Sequence, residues 1–194
     1  MGALDYFCDS CFNNWREESV PIMNSLVHDL KTYARQDFPV QEISAYLTKY
    51  KLSNENLSQY ISYKSDSYTR HLVHKDEDFE ILVVCWEPGQ TAPIHGHEGE
   101  KCWMRVEQGA LKVCNYKLNT LSPLSLTMKE ELKCEAGFLD GPAEIHSVEN
   151  VYNEPAVSLH IYAKPFEECD IYCLDSGTVK RVQLVYDSMF REPC

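Results

Sequence analysis

Three histidines are the residues of this chain best suited to metal chemistry. His95 and His97 lie in the stretch GQTAPIHGHEGEKC, directly after a turn-rich GQTAP segment. Side chains at positions i and i+2 of a β-strand point to the same side, so both imidazoles would enter one space. His146 follows a second turn-rich segment, GPAE, and offers a third imidazole. The pattern predicts a metal site formed by these three side chains.

The histidines alone leave the identity of the metal open, because neutral imidazoles suit Fe(II), Zn, Cu or Ni. Non-haem Fe(II) oxygenases usually combine two histidines with one carboxylate. Glu98 and Glu100 lie close by in the sequence and are alternative ligands. On a continuing strand, however, Glu98 would face away from the histidines. Three histidines are therefore the simplest prediction for the ligand set.

A second group of polar residues suits hydrogen bonding and substrate binding. In the segment SLHIY, Ser158, His160 and Tyr162 share one strand face, and together they can form a chain that orients a hydroxyl proton. Both faces of such a strand can be buried, so alternation alone does not choose between them; the nearby metal favours the inward orientation. Arg70, two residues after Tyr68, supplies a cation that can hold a carboxylate through two hydrogen bonds.

The elements that must position these groups change type along the chain. Apolar residues recur at helical spacing in two early stripes: Ile22, Leu26 and Leu30, and then Val40, Ile43 and Leu47. Ser53 and Asn54 suit the N-cap of a short helix over residues 55–60. After residue 63 the chain consists of short β-rich runs separated by turn signals, at a spacing of about ten residues.

These patterns predict a mainly β chain of the α+β class. A small helical cap would cover residues 1–63 and a β-barrel or sandwich residues 64–194, packed together as one structural domain. We detect no linker, low-complexity tract or internal repeat.

Composition excludes several classes of partner. The formal net charge of −12 argues against nucleic acid and anionic membranes, and the apolar run ILVVCW is too short to span a bilayer. Nine cysteines, with no signal-peptide pattern at the N-terminus, predict a cytoplasmic protein with reduced thiols. We expect a monomer. The single CxxC at Cys8 and Cys11 lacks a second Cys or His pair, so we assign it no metal.

The spacing of the histidines resembles the two motifs of the cupin superfamily. The stretch that contains His95 and His97 matches the first motif, except that Cys102 stands where the motif normally has Glu. The stretch GFLDGPAEIHSVEN, with His146 and Asn150, resembles the second motif, although its proline lies one residue nearer to the histidine than usual. The resemblance implies a double-stranded β-helix, or jelly roll, with the metal in the mouth of the barrel.

A closer resemblance covers residues 20–190. The segments YTR, CW, HGH, HSVEN and EPAVSLHIY occur in the same order as in the cysteine dioxygenase family of iron thiol dioxygenases. This resemblance implies that Fe(2+) is bound by His95, His97 and His146. It also implies that Arg70, with Tyr68, binds the substrate carboxylate.

The resemblance further implies a protein-derived cofactor. In animal-type members, the cysteine of the first motif forms a thioether with the tyrosine of the SLHIY strand, here Cys102 and Tyr162. Bacterial relatives often have Gly in place of this cysteine, and mercaptopropionate enzymes tend to have Gln in place of Arg70. The family's Ser-His-Tyr strand falls on Ser158, His160 and Tyr162. One departure is Gly96, where the family often has Asp.

The implied activity is the oxidation of L-cysteine by O2 to cysteine sulfinic acid, the first step of cysteine catabolism toward sulfate and taurine. One alternative is a dioxygenase of another small thiol, such as 3-mercaptopropionate, which substrate competition distinguishes. The other is a non-enzymatic, metal-binding cupin, which would bind metal without thiol-dependent O2 uptake.

Overall fold

The computed structural model describes residues 23–194 of the 194-residue chain. Its helices are α1 (Asn24–Ala34), α2 (Val40–Lys49) and α3 (Asn54–Ser58). Its strands are β1 (Thr69–Lys75), β2 (Phe79–Trp86), β3 (Thr91–Gly96), β4 (Cys102–Gln108), β5 (Ala110–Leu121), β6 (Leu124–Glu135), β7 (Leu139–Ala143), β8 (Ile145–Glu149), β9 (Ala156–Ala163), β10 (Glu168–Cys173), β11 (Thr178–Gln183), β12 (Ser188–Met189) and β13 (Glu192–Pro193). Ile22 and the CxxC at Cys8 and Cys11 lie outside the described residues.

The strands form two sheets that face each other as a double-stranded β-helix. One sheet has the order β13-β12-β1-β2-β9-β4-β7, and the other has the order β11-β10-β3-β8-β5-β6. Strands that are neighbours in a sheet are mostly distant in sequence, as β2 and β9 are. The mainly β, cupin-like fold predicted from the sequence is therefore confirmed.

The interior between the sheets is apolar. Leu82, Val84 and Trp86 point inward from β2, and they meet Leu111 and Val113 of β5 in one buried cluster. Each of these side chains stabilises the fold by roughly 1.5–3 kcal/mol when it leaves water. The same buried cluster includes Cys102 and Tyr162.

The helices cover the outer face of the seven-stranded sheet. Leu26 and Leu30 of α1 pack in one cluster with Ile43 and Leu47 of α2 and with Ile81 of β2. As a result, β2 and β9 are buried along their whole length on both faces. Burial on both faces explains why FEILVVCW is an almost unbroken apolar run rather than an alternating one.

The predicted helical stripes are found with one error. Leu26, Leu30, Ile43 and Leu47 are buried, but Val40 is 37% exposed. Val40 is the first residue of α2, and this position at the end of the helix leaves it partly open to solvent although it lies on the same face as Ile43 and Leu47. The third helix is shorter than the predicted 55–60, and the Ser53 side chain accepts a hydrogen bond from the backbone N–H of Asn56 (3.2 Å).

Among residues 23–194, none of the helices is both long and apolar enough to cross a membrane. The division of the chain at residue 63, the monomeric state and the cytoplasmic location stay predictions.

Candidate metal centre

The three histidines converge at one point inside the barrel. His95 lies on β3, and its Cα is paired with that of His146 on the neighbouring strand β8. The potential ligand atoms of His95, His97 and His146 all lie within 4.8 Å of one another. The strand β3 ends at Gly96, so His97 reaches the cluster from just beyond the strand rather than from within it.

Gly96 has a packing reason to be glycine. A Cβ atom at this position would lie 3.3 Å from the hydroxyl oxygen of Tyr172, which packs against the turn from β10. A longer side chain at this position would require Tyr172 to move. The small residue therefore lets the two flanking histidines turn inward beside a large aromatic ring.

Backbone carbonyls orient two of the imidazoles. The Nδ1 atom of His95 lies 2.8 Å from the Pro93 carbonyl oxygen, and that of His97 lies 2.9 Å from the Ala143 carbonyl oxygen. Because a carbonyl only accepts, each Nδ1 carries the hydrogen and each Nε2 keeps a lone pair.

The buried Nε2 of His97 has no hydrogen-bond partner among residues 23–194. Leaving a buried polar atom unpaired costs about 1–3 kcal/mol. A metal ion held by the three imidazoles removes that cost, so these residues fit a metal.

Burial keeps the imidazoles neutral, as metal ligands must be. It lowers the pKa of His95 and lowers those of His97 and His146 well below the usual range. A positive charge on one imidazole would also repel its neighbours, which lowers the pKa of His97 further.

The described residues near the cluster contribute no carboxylate to it. Glu98, an alternative ligand in the sequence, instead forms an ion pair with Arg181. The ligand set supported by the geometry therefore consists of three neutral groups.

A cavity of about 320 Å³ opens beside His95. Residues from several distant segments line it, among them Tyr68, Arg70, His160 and Tyr162. The structure thus brings together the polar residues that the sequence had marked separately. It provides a space for a small substrate next to the histidine cluster.

Arg70 is held in place through its main chain and its neighbours. Its backbone N–H donates to Asp187 (2.7 Å), which is itself paired with Lys64. The guanidinium group lies 5.5 Å from the centre of the Tyr186 ring, and Nη1 donates one long hydrogen bond to the Val185 carbonyl oxygen (3.3 Å). Most of its five N–H donors therefore remain for a ligand in the cavity.

A continuous chain of side chains runs along the wall of the cavity. The ring of Tyr68 stacks on Trp86 with 4.7 Å between centres. The Trp86 indole donates to Ser158 (2.9 Å), Ser158 Oγ lies 2.8 Å from His160 Nε2, and His160 Nδ1 lies 3.3 Å from the hydroxyl of Tyr162.

Burial lowers the pKa of His160 well below its usual range, so the ring is neutral and carries one hydrogen. An indole N–H can only donate, so Oγ of Ser158 accepts from Trp86 and its own hydrogen is available for Nε2 of His160. In that arrangement the hydrogen of His160 lies on Nδ1. His160 then donates to the oxygen of Tyr162. The hydroxyl hydrogen of Tyr162 is left for Cys102 or for a molecule in the cavity.

Cys102 and Tyr162 lie directly opposite each other on β4 and β9. Both side chains are buried. Burial raises the pKa of Cys102 well above its usual range, so the thiol is protonated. The cysteine therefore adjoins the tyrosine and is not a member of the histidine cluster.

Comparison with known proteins adds independent information to this geometry. A model of the family described as cysteine dioxygenase type I matches residues 17–174. The chain belongs to the cysteine dioxygenase type I family. The cysteine dioxygenase type 1 of Rattus norvegicus is 30% identical over 172 residues, which are 85% of this chain and 84% of that protein. The Homo sapiens protein of that name is 28% identical over the same shares.

Among solved structures, one similar chain is an uncharacterized conserved protein with a double-stranded beta-helix domain from Klebsiella pneumoniae. Its TM-score is 0.45 at 19% identity, and the match covers 56% of this chain and 86% of that chain.

Two residues that line the cavity were given no role in the site from the sequence. Trp86 and Asp187 both line the cavity. The inward alternation of Trp86 with Leu82 and Val84 was available as a signal, whereas nothing local marks Asp187. Cys169 is also buried and lines the cavity.

Proposed function

We propose that this protein is a cysteine dioxygenase that oxidises the thiol of L-cysteine with O2 to cysteine sulfinic acid. The observation that carries the proposal is the position of three neutral imidazoles beside a cavity lined by Arg70 and Tyr162. Membership of the cysteine dioxygenase type I family supports the same activity.

The proposed metal is ferrous iron, held by Nε2 of His95, Nε2 of His97 and a ring nitrogen of His146. When bound, iron supplies coordination of the substrate thiol and activation of dioxygen. The three imidazoles bring no negative charge of their own. An anionic substrate thiolate is therefore well matched to the site.

Arg70 binds the substrate carboxylate in this proposal, and Tyr68 lies beside it on the same wall. A planar guanidinium group can form two parallel hydrogen bonds to a carboxylate, which fixes both the position and the orientation of the amino acid. The carboxylate of cysteine thereby sets how far its thiol reaches into the site.

His160 and Ser158 position Tyr162. Because Ser158 directs its hydrogen to Nε2, His160 presents its Nδ1 hydrogen to the phenol oxygen. The phenol then has its own hydrogen to donate toward substrate or dioxygen. This arrangement orients one proton donor beside the reacting atoms without any charged group.

A thioether between Cys102 and Tyr162 would fix the ring further. Its formation removes one hydrogen from the thiol and one from the ring, and these two hydrogens with their electrons pass to O2 to give hydrogen peroxide. The tethered phenol loses rotational freedom before substrate arrives, so less entropy is lost in the reaction itself.

The test is O2 uptake by the purified protein loaded anaerobically with Fe(II). We expect uptake that depends on L-cysteine, formation of cysteine sulfinic acid, and incorporation of both atoms of isotope-labelled O2, because the product lies two steps up the oxidation ladder of sulfur. Chelation of the iron should abolish uptake. Metal binding without cysteine-dependent uptake would indicate the non-enzymatic cupin, and a higher kcat/KM for 3-mercaptopropionate would indicate the other thiol dioxygenase.

A further inference from the structure

His146 differs from the other two histidines in what lies behind it. His95 and His97 each have a backbone carbonyl at Nδ1, but Nδ1 of His146 faces the side chain of Asp140, 3.7 Å from its Oδ2 atom. Both atoms are buried, and neither has another hydrogen-bond partner among the described residues. A ring nitrogen and a carboxylate oxygen thus face each other, and neither atom is in contact with solvent.

Asn115 holds this carboxylate in position. Its Nδ2 donates to Oδ1 of Asp140 (3.1 Å) and to Glu130 (3.2 Å). The orientation of the amide is determined, because the flipped form would point its oxygen at two carboxylates. Asn115 is also the direct cross-strand neighbour of His146, whose other neighbour is His95. The carboxylate is therefore fixed relative to the row of strands that carries the histidines.

The backbone of β7 is also adapted to this placement. Gly141, the residue after Asp140, has φ +120°, and a Cβ atom there would collide with the carbonyl oxygen of Cys102. Only glycine allows β7 to pass this close to β4. The close approach sets the course of the chain at Asp140, which is 7% exposed although it is charged.

We propose that Asp140 is a positioning residue that accepts the Nδ1 hydrogen of His146 and so reserves Nε2 for the metal. The inference rests on the ligand set of the proposed function. The separation of 3.7 Å exceeds a normal N–H···O distance of about 2.9 Å, so the proposal includes a closer approach of the two side chains. A carboxylate is a stronger acceptor than a carbonyl, so His146 becomes the most electron-rich of the three ligands.

Metal affinity is the first test. We expect Asp140→Ala to weaken Fe(II) binding about 10- to 100-fold, measured anaerobically by competition with a chromogenic chelator. Asp140→Asn keeps the size of the side chain and a neutral acceptor oxygen, so its Fe(II) affinity should fall less than that of Asp140→Ala. Asp140 and Glu144 both line a second recess, separate from the cavity of Arg70. The matched control is Glu144→Gln, which removes the same charge from an exposed residue of that recess. Affinities for both Asp140 variants equal to that of the control would overturn the proposal.

The second test needs neither metal nor turnover. In the metal-free protein with isotope-labelled histidine, nuclear magnetic resonance should show His146 with its hydrogen on Nδ1. In Asp140→Ala the hydrogen should move toward Nε2, the form that free imidazole side chains prefer in water, while His97 keeps its tautomer because the Ala143 carbonyl is unchanged. A purely structural role of Asp140 would leave the tautomer of His146 unaltered, and that result would overturn the proposal.

The two tests separate this inference from the proposed function. If the native protein oxidises cysteine but the Asp140 variants bind Fe(II) like Glu144→Gln, only the role of Asp140 is wrong. If the native protein does not oxidise cysteine and the Asp140 variants still lose affinity and change tautomer, the role of Asp140 stands without the enzymatic activity. Thermal unfolding of each metal-free variant confirms that folded protein is compared.

Discussion

Cys102 and Tyr162 are directly opposed on adjacent antiparallel strands, and both are buried inside the barrel. Side chains at such paired positions lie on the same face of a sheet, with Cβ atoms about 4.5–5.5 Å apart. The sulfur therefore lies beside the phenol ring because of strand register, without any help from a flexible loop.

We predict that this pair forms a thioether during turnover with Fe(II), cysteine and O2. The mature protein should run as two bands on a denaturing gel, because a cross-linked chain is more compact than a linear one, and should lose the mass of two hydrogen atoms. Cys102→Ser should give one band at all times. Cys134→Ser is the matched control, since Cys134 is equally buried but is paired with Leu111, and it should keep both bands. Two bands from Cys102→Ser would exclude the cross-link.

Arg70→Gln should impair binding of cysteine through its carboxylate. Removing a charged hydrogen-bond partner costs about 1.5–3 kcal/mol, which corresponds to a roughly 10- to 150-fold increase in KM. The KM for cysteamine, which lacks the carboxylate, should change little. Arg181→Gln serves as a control, because Arg181 is an exposed arginine paired with Glu98. Equal losses for both thiols would mean that Arg70 does not bind the carboxylate.

Features that depend on near neighbours in the sequence were predictable. The helical stripe of Leu26 and Leu30 and the common face of His160 and Tyr162 each follow from a local period, and the structure has both. The prediction of burial was wrong for Val40, because a helical period gives the face of a residue but not whether the end of the helix is covered.

Contacts that depend on how the strands pair could not be predicted from the sequence. Arg70 and Asp187 are 117 residues apart, and only the pairing of β1 with β12 brings them together. Asp140 similarly reaches His146 because β7 lies in one sheet and β8 in the other. Short sequence motifs identify the ligands, whereas the groups that orient them come from the packing of the whole barrel.

Acid should destabilise the protein in part through His71. This side chain is buried, and burial lowers its pKa in the folded state. In the unfolded chain, the pKa of His71 is near 6.5, so below that pH the unfolded state binds a proton that the folded state does not bind. The free energy of unfolding therefore falls as the pH drops below about 6.5. Its contribution has a slope of up to about 1.4 kcal/mol per pH unit. Urea unfolding between pH 7.5 and 5.5 measures how the free energy of unfolding depends on pH. This dependence should be shallower for His71→Asn than for the native protein, while the amide retains the contact to Ser188. An identical dependence in both proteins would assign the acid sensitivity to other groups.

Arg105 should be the strongest polar link between the barrel and the helical cap. It pairs with Glu107 and donates to the carbonyl oxygens of Leu47 and Tyr50 at the end of α2, and only 5% of its side chain is exposed. Arg105→Met leaves the half-buried Glu107 and both carbonyls without this donor, so we expect a loss of about 3–5 kcal/mol in the free energy of unfolding. Lys101→Met is the control, because Lys101 also reaches the cap but is more exposed, and it should cost about 1 kcal/mol or less. Urea unfolding measures the free energy of unfolding of both variants. An unchanged KM for cysteine in each variant would show that this link stabilises the fold without affecting the site. Equal losses of free energy in the two variants would contradict the role given to Arg105.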